Sequence, residues 1–247
     1  MTVPAGILYG VGLGPGDPDL MTVKARRLLA ASTTIAFFRK RGRPGHARTI
    51  ADGLLTASGV REIALEYPVT TELPHASEGY VAAIGAFYRD AAASLGVVLD
   101  EGHDVALLCE GDPFFYGSFL HMYDRLREGY RVEVIPGITG MSGCWTVASA
   151  PITYGDDVLT VLPGTLPAEV LAEKLAATDA AVIMKVGRNL DKIRAALARA
   201  GRLQDAIYVE RGTMAGQRVV PLANLDHAGA PYFSIILLPG GRGRRIK

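Results

Sequence analysis

Short apolar runs alternate with amphipathic segments throughout the first half of the chain. Strand-like apolar runs are predicted at residues 6–11, 33–38, 61–65, 104–109 and 131–135. Helical spacing of apolar residues predicts helices between them, at residues 19–31, 47–57, 77–95 and 117–127. Asp19 is the expected N-cap of the first of these helices. The run at 104–109 is apolar after its first residue, which is typical of a parallel strand buried on both faces.

The second half repeats the alternation and then changes. Helices are predicted at 138–148, 168–177 and 189–200, and strands at 157–162, 180–186, 206–210, 218–221 and 232–238. Short connections between the last three strands indicate some antiparallel pairing. The fold class is therefore α/β, with two α/β domains at residues 1–135 and 136–247. Pro136-Gly137 marks the junction, and a ligand cleft is expected between the domains.

Two clusters of glycine, proline and aspartate interrupt this pattern, at residues 10–17 and 110–118. Each follows a predicted strand and precedes a predicted helix. In open α/β sheets, ligands bind beyond the carboxyl ends of the strands, where residues without bulky side chains let the backbone approach. The two turns meet only if both strands belong to one parallel sheet, so the pair predicts a ligand-binding edge.

Composition, net charge and cysteine content limit the class of protein to which this chain can belong. The chain has 247 residues, 49% hydrophobic and 21% charged, with a formal net charge of +1. That balance favours neither nucleic acid nor a membrane as a partner. We expect a cytoplasmic protein, because the first residues lack signal-peptide features and no apolar run approaches the roughly 20 residues of a membrane span. Cys109 and Cys144 are expected to be reduced and buried, and the histidines show no metal-ligand spacing.

The first cluster does not fit a dinucleotide or nucleoside-triphosphate site. Its glycines occupy every second position from Gly10 to Gly16, and no carboxylate follows at 32–38 to bind a ribose. Nor does any Gly-Lys-Ser/Thr sequence supply a phosphate-binding loop. Asp17 and Asp112 would repel a phosphate, whereas they suit a cationic ligand such as a sulfonium, or a ribose hydroxyl. The alternative is that both aspartates cap the helices that follow them.

Several motifs in order resemble the tetrapyrrole methylase family. They are LYGVGLGPGDPDLMTVKA at 8–25, EGDPFFYGS at 110–118, IPGITG at 135–140, VIMKV at 182–186, ERGTM at 210–214 and YFSI at 232–235. The resemblance covers nearly the whole chain. It implies an enzyme that binds S-adenosylmethionine between two α/β domains. Within the family, LYGVG, the segment 67–70 and MKV are most similar to members that methylate C-20 of precorrin-2 in cobalamin synthesis.

The resemblance also implies a set of cofactor-binding residues. They are Pro15, Gly111, Asp112, Pro113, Thr139, Gly140, Met184 and Thr213. Their chemistry is suitable, since Thr139 offers a hydroxyl and the Met184 thioether can pack against an adenine ring. An apolar strand residue such as Met184 is otherwise equally typical of the core.

The tetrapyrrole substrate carries acetate and propionate groups. Arg39, Arg41 and Arg48, in the basic run after the second strand, are therefore predicted to pair with substrate carboxylates, with a solvated basic loop as the alternative. Asp17 and Tyr116 complete the predicted substrate-binding residues. Tyr116, Asp17 and Glu110 are the candidates for removing the meso proton, and the residue pattern does not choose between them.

The residue pattern is compatible with three functions of different classes. They are a C-methyltransferase, a nicotinamide oxidoreductase and a non-catalytic tetrapyrrole carrier. For the methyltransferase, the metal-free substrate precorrin-2 and its cobalt complex are both possible, and the resemblance favours the metal-free compound. A homodimer is implied by the family. Residues 242–247, which are strongly basic, are expected to form a disordered tail.

Overall fold

The computed structural model describes residues 4–55, 59–68, 77–226 and 229–241. The chain divides into two compact units, Met1–Thr139 and Gly140–Lys247. The division falls a few residues after the junction predicted at Pro136. The basic residues 242–247 and part of the 67–70 motif lie outside the described residues.

Unit 1 contains a five-stranded sheet in the order β3-β2-β4-β1-β5, and all of its pairings are parallel. Its strands are β1 (Leu8–Gly12), β2 (Thr34–Lys40), β3 (Arg61–Tyr67), β4 (Val105–Cys109) and β5 (Val132–Ile135). Its helices are α1 (Val23–Ala31), α2 (His46–Ile50), α3 (Glu78–Asp100) and α4 (Phe119–Leu126). The predicted parallel sheet is confirmed, and every residue of its central strand β4 is buried.

The first helix begins later than predicted. Asp17 caps a short 3-10 helix, Pro18–Leu20, by accepting a hydrogen bond from the Asp19 amide at 2.9 Å. Thr22 then caps α1, since its Oγ1 accepts from the Ala25 amide at 3.2 Å. The prediction of Asp19 as the N-cap is wrong, because Pro18 and Asp19 belong to the preceding short helix.

Two other helices differ in length from the predicted ones. α2 ends at Ile50 and continues as turns, whereas the pattern predicted a helix to residue 57. α3 begins after Ser77, whose Oγ accepts from the Tyr80 amide at 3.3 Å, and extends to Asp100. Contrary to the expectation that no apolar run approaches the length of a membrane span, α3 is long and apolar enough to cross a membrane by length and composition alone. Seven of its residues are buried, and six of these belong to the hydrophobic core of unit 1.

Unit 2 contains a mixed five-stranded sheet in the order β6-β7-β10-β8-β9. Its strands are β6 (Leu159–Pro163), β7 (Ala180–Met184), β8 (Ile207–Glu210), β9 (Arg218–Pro221) and β10 (Ser234–Leu238). Its helices are α5 (Gly140–Val147), α6 (Ala168–Ala176) and α7 (Leu190–Arg199). The predicted antiparallel pairing of the late strands is confirmed.

The pairing of unit 2 gathers several strand ends at one edge. β6 and β7 are parallel, and β10 runs antiparallel to both β7 and β8. The carboxyl ends of β6, β7 and β8 therefore lie at the edge where β10 begins. One face of the sheet packs on α6 and α7, and residues of α5 pack on the other. Loops from three strands are thus placed together next to α5.

Both cysteines are buried and free of disulfide bonds, as predicted. Burial raises the pKa of the Cys109 thiol well above its usual value, and raises that of Cys144 to about 12. Because the thiolate is the reactive form, neither side chain is suited to act as a nucleophile near neutral pH.

Gly10 of β1 lies against the ring of Phe119, which is fully buried. A methyl group on Gly10 would come within 2.6 Å of the ring atom Cε2. We expect Gly10→Ala to lower the free energy of unfolding by about 1–3 kcal/mol, because the ring has no space to move into. In the double variant G10A/F119L, the smaller side chain should recover part of the loss. Urea unfolding of both single variants and the double variant measures this coupling, and strictly additive effects would contradict it.

Candidate functional site

The two glycine-rich turns of unit 1 meet through their backbones. The Gly111 amide donates to the Gly14 carbonyl at 2.8 Å, and the Gly14 amide donates to the Gly111 carbonyl at 3.4 Å. The Leu13 amide also donates to the Cys109 carbonyl at 2.9 Å. The prediction that parallel strands bring these turns together is confirmed. The contact places the motifs at 10–17 and 110–118 at one edge of the sheet.

A third glycine, Gly137 of the IPGITG motif, joins this junction. A methyl group on Gly12 would lie 2.5 Å from the Gly137 amide nitrogen, and one on Gly137 would overlap the Gly111 carbonyl oxygen. Only residues without a side chain fit at both positions. Three of the six motifs that carry the family resemblance therefore converge on backbone atoms.

The Asp112 carboxylate fastens this junction. Its Oδ1 accepts from the Phe114 amide at 2.9 Å and its Oδ2 accepts from the Gly137 amide at 3.1 Å. Asp112 does not cap α4, which follows Ser118. The alternative that Asp17 caps the following helix is therefore correct, and that helix is the short 3-10 helix Pro18–Leu20. Asp112 instead accepts one hydrogen bond within its own turn and one from the third motif.

The remaining predicted residues of these motifs differ in exposure. Pro15 and Pro113 are buried beside the glycines. Tyr116 is 45% exposed and has a φ of 55°, in the left-handed region that residues with side chains rarely adopt. The turn after β4 therefore presents an aromatic side chain on a strained backbone.

In unit 2, Met184 ends β7 at the edge described above. Its side chain is half-buried and packs in the cluster on the α5 side of the sheet, together with Met141 and Cys144. The Gly164 amide donates to the Met184 carbonyl at 2.6 Å. The next residue, Lys185, has a φ of 54°. Met184 is thus partly a core residue, as the alternative interpretation expected, and partly accessible.

The ERGTM motif forms a second strained loop at the same edge. Arg211 and Thr213 have φ values of 48° and 66°. Between them, Gly212 packs so closely on α5 that a methyl group there would lie 2.8 Å from the Cys144 Sγ. Among the described residues, four of the five non-glycine residues with positive φ follow strand ends: Tyr116, Lys185, Arg211 and Thr213. Strain of this kind is concentrated at ligand sites.

Thr139 and Gly140 lie at the division between the two units. Thr139 is half-buried, and Gly140 is the first residue of α5. A methyl group on Gly140 would meet only the Ile235 Cδ1, at 3.9 Å. Gly140 is therefore not required by packing within unit 2, unlike Gly12 and Gly137 in unit 1.

The predicted substrate-binding arginines already have acidic partners. Arg39 and Glu66 lie opposite each other on β2 and β3 and form an ion pair at 2.7 Å. Arg41 approaches the same carboxylate at 3.7 Å with its side chain 85% exposed. Arg48 bonds Glu62 at 2.8 Å, and this hydrogen bond raises the pKa of Arg48. The sequence pattern did not predict these partners, because it gives neither the register of β2 against β3 nor the position of α2 beside β3.

Comparisons with known proteins agree with this arrangement. The family model described as Tetrapyrrole (Corrin/Porphyrin) Methylases matches residues 7–226. The chain is 52% identical to a precorrin-2 C(20)-methyltransferase from Sinorhizobium sp over 242 residues, 98% of each protein. It is 29% identical to the cobalt-precorrin-2 C(20)-methyltransferase of Salmonella typhimurium, over 94% of this chain and 96% of that protein.

The fold is also similar to a solved structure. Uroporphyrin-III C-methyltransferase from Thermus thermophilus, complexed with S-adenosylhomocysteine, matches with a TM-score of 0.65 at 23% identity. The match covers 94% of this chain and 97% of that one, and it shows the fold. Because the family model spans most of the sequence and the Sinorhizobium relative is similar along its whole length, this chain belongs to the tetrapyrrole (corrin/porphyrin) methylases.

Proposed function

We propose that this methylase transfers a methyl group from S-adenosylmethionine to C-20 of precorrin-2, which gives precorrin-3A in cobalamin biosynthesis. The observation that carries the proposal is the 52% identity to a precorrin-2 C(20)-methyltransferase across 98% of both proteins. The second candidate substrate is cobalt-precorrin-2. Identity to an enzyme named for that substrate is 29% over a similar length, so the metal-free substrate is favoured.

The residues of both units suit an adenosyl sulfonium ligand. In unit 1, the turns at Gly12, Gly111 and Gly137 meet through their backbones, and a side chain at Gly12 or Gly137 would overlap that contact. In unit 2, the half-buried Met184 thioether and the strained loop at Thr213 lie at the carboxyl edge of the sheet. We retain all eight predicted cofactor-binding residues in this proposal, with Pro15, Pro113 and the glycines contributing backbone or apolar surface.

S-adenosylmethionine supplies an electrophilic methyl group on a positively charged sulfur. The protein's contribution is to hold the donor and the electron-rich meso carbon in line, because alignment contributes more here than a strong base. Of the three candidate bases, Asp17 and Glu110 each hold a backbone amide. Tyr116 is 45% exposed in the turn after β4. None of these contacts assigns the group that accepts the meso proton.

Substrate carboxylates would have to compete for the arginines. Arg39 and Arg48 are bound to Glu66 and Glu62, whereas Arg41 is the most exposed of the three and is more distant from Glu66. Partly exposed ion pairs contribute only about 0–1 kcal/mol, so a carboxylate of the substrate can exchange with Glu66 at little cost. We propose that Arg41 makes the first contact. We also propose a cytoplasmic homodimer, as the family resemblance implies.

The decisive assay supplies the purified enzyme with enzymatically generated precorrin-2 and S-adenosylmethionine under anaerobic conditions. We expect a gain of one methyl group by mass spectrometry, with NMR of labelled product placing it at C-20. Parallel reactions with cobalt-precorrin-2 distinguish the second candidate. A carrier would bind tetrapyrrole without cofactor and without turnover, and an oxidoreductase would bind NAD(P). Either result would overturn the proposal.

Asp112→Asn tests the junction of the three motifs. An amide oxygen can accept from only one of the Phe114 and Gly137 amides, and the amide nitrogen then faces the other donor. We expect the dissociation constant for S-adenosylhomocysteine to rise about tenfold and the free energy of unfolding to fall by about 2 kcal/mol. Calorimetry measures both. Asp19→Asn, at an exposed position, is the matched control, and equal effects in both variants would contradict the role of Asp112.

Gly212→Ala tests the strained loop of unit 2. The added methyl group would meet the Cys144 Sγ at 2.8 Å and push the loop that carries Thr213 away from α5. We expect weaker binding of S-adenosylhomocysteine by about tenfold, because overpacking costs roughly 1–3 kcal/mol. Cys144→Ala in the same chain removes the sulfur and should restore most of the affinity. Undiminished affinity in Gly212→Ala would show that this loop does not contribute to cofactor binding.

A further inference from the structure

Glu110 connects the cofactor turn to a separate part of unit 1. It stands between Cys109, the last residue of β4, and Gly111 of the glycine junction. Its Oε1 accepts a hydrogen bond from the Ala47 amide at 3.0 Å. Ala47 is buried in the first turn of α2, the short helix that follows the basic loop. A side chain of the turn thus holds the start of α2.

The carboxylate of Glu110 is surrounded by protein on several sides. Burial is the largest influence and raises its pKa, while its own amide, the His46 charge and the Ala47 amide act in the opposite direction. A carboxylate that is desolvated and held by backbone donors has a fixed position. Its hydrogen bond with the Ala47 amide suits it to orient the start of α2.

The segment that Glu110 holds carries the predicted substrate cations. Arg41 lies between β2 and α2, and Arg48 lies within α2. On the other side, Gly45 packs against β2, since a methyl group there would lie 2.7 Å from Phe37 Cδ2 and 2.8 Å from the Phe38 carbonyl oxygen. The basic segment is therefore fastened at Gly45 and at Ala47. The contact at Ala47 is the hydrogen bond to Glu110, which is the residue next to Gly111 in the chain.

We propose that Glu110 is a positioning residue that sets the distance between the carboxylate-binding arginines at 41–48 and the cofactor turn at Gly111. It would thereby align the substrate's carboxylate rim with the methyl donor. The inference rests on the proposed function. It assigns Glu110 a hydrogen-bonding role in which the acceptor oxygen matters and the charge does not.

Two conservative variants separate position from charge. Glu110→Asp keeps the charge but shortens the side chain, so the carboxylate no longer reaches the Ala47 amide. Glu110→Gln keeps the reach and an acceptor oxygen but removes the charge. We expect Glu110→Asp to raise KM for precorrin-2 about tenfold, with kcat and the dissociation constant for S-adenosylhomocysteine within about twofold of the wild type. We expect Glu110→Gln to keep kcat within about twofold of the wild type and to raise KM less than Glu110→Asp does, because it keeps an acceptor oxygen for the Ala47 amide.

Gly45→Ala provides an independent displacement of the same segment without touching Glu110, and should also raise KM alone. It keeps the test valid if Glu110→Asp does not fold. The proposal is overturned if KM is unchanged in both Glu110→Asp and Gly45→Ala, or if S-adenosylhomocysteine binding weakens as much as KM rises. It is also overturned if Glu110→Gln loses kcat, since that result would identify a catalytic base.

Amide hydrogen exchange gives a readout that does not depend on the substrate. The Ala47 amide should exchange faster in Glu110→Asp than in the wild type and in Glu110→Gln, because its acceptor is displaced. If the wild type does not methylate precorrin-2, the proposed function fails, while the exchange result still decides whether Glu110 holds α2. Equal exchange in all three proteins would overturn the positioning role.

Discussion

The direct contact of three backbone turns at the carboxyl edge of the parallel sheet is the constraint on which unit 1 depends. Gly12, Gly111 and Gly137 approach so closely that any side chain at two of these positions would overlap the backbone. Each turn follows a different strand, so the contact requires β1, β4 and β5 to be neighbours in parallel. The close contact that fixes the order of these strands therefore also limits which residues can occupy the turns.

In unit 2, residues with side chains adopt strained backbone conformations at strand ends, where unit 1 has glycines. Lys185, Arg211 and Thr213 adopt left-handed backbone conformations at the carboxyl ends of β7 and β8. Each such residue costs of the order of 1–3 kcal/mol unless its surroundings fix it. Here Gly212 against Cys144, and the bond from the Gly164 amide to the Met184 carbonyl, supply the fixing contacts. The side chains gained in this way are an ammonium, a guanidinium and a hydroxyl group, which glycine could not provide.

The positions of the strands, and their alternation with helices, could be predicted because buried parallel strands leave unbroken apolar runs, as in β4. The two glycine-rich turns could also be predicted, because the glycine, proline and aspartate residues that mark each turn are neighbours along the chain. The start of α1 was not, because Asp19 and Thr22 are both good N-caps and only the 3-10 turn at Pro18–Leu20 decides between them. The pairing of Arg39 with Glu66 depends on the register of β2 against β3, and the pairing of Arg48 with Glu62 depends on where α2 lies beside β3. A left-handed Arg211 or Lys185 has no local sequence signal, since both types usually avoid that conformation.

The position of β10 has a consequence for how the protein is made. This strand, Ser234–Leu238, is entirely buried and lies between β7 and β8, although it is the last strand of the described chain. During synthesis, unit 1 has its complete sheet once β5 has left the ribosome. The sheet of unit 2 stays open at its centre until about a hundred further residues have been added. In that interval β7 and β8 each present an unpaired apolar edge. The nascent second half is therefore the part of this chain most exposed to mispairing and most dependent on rapid completion.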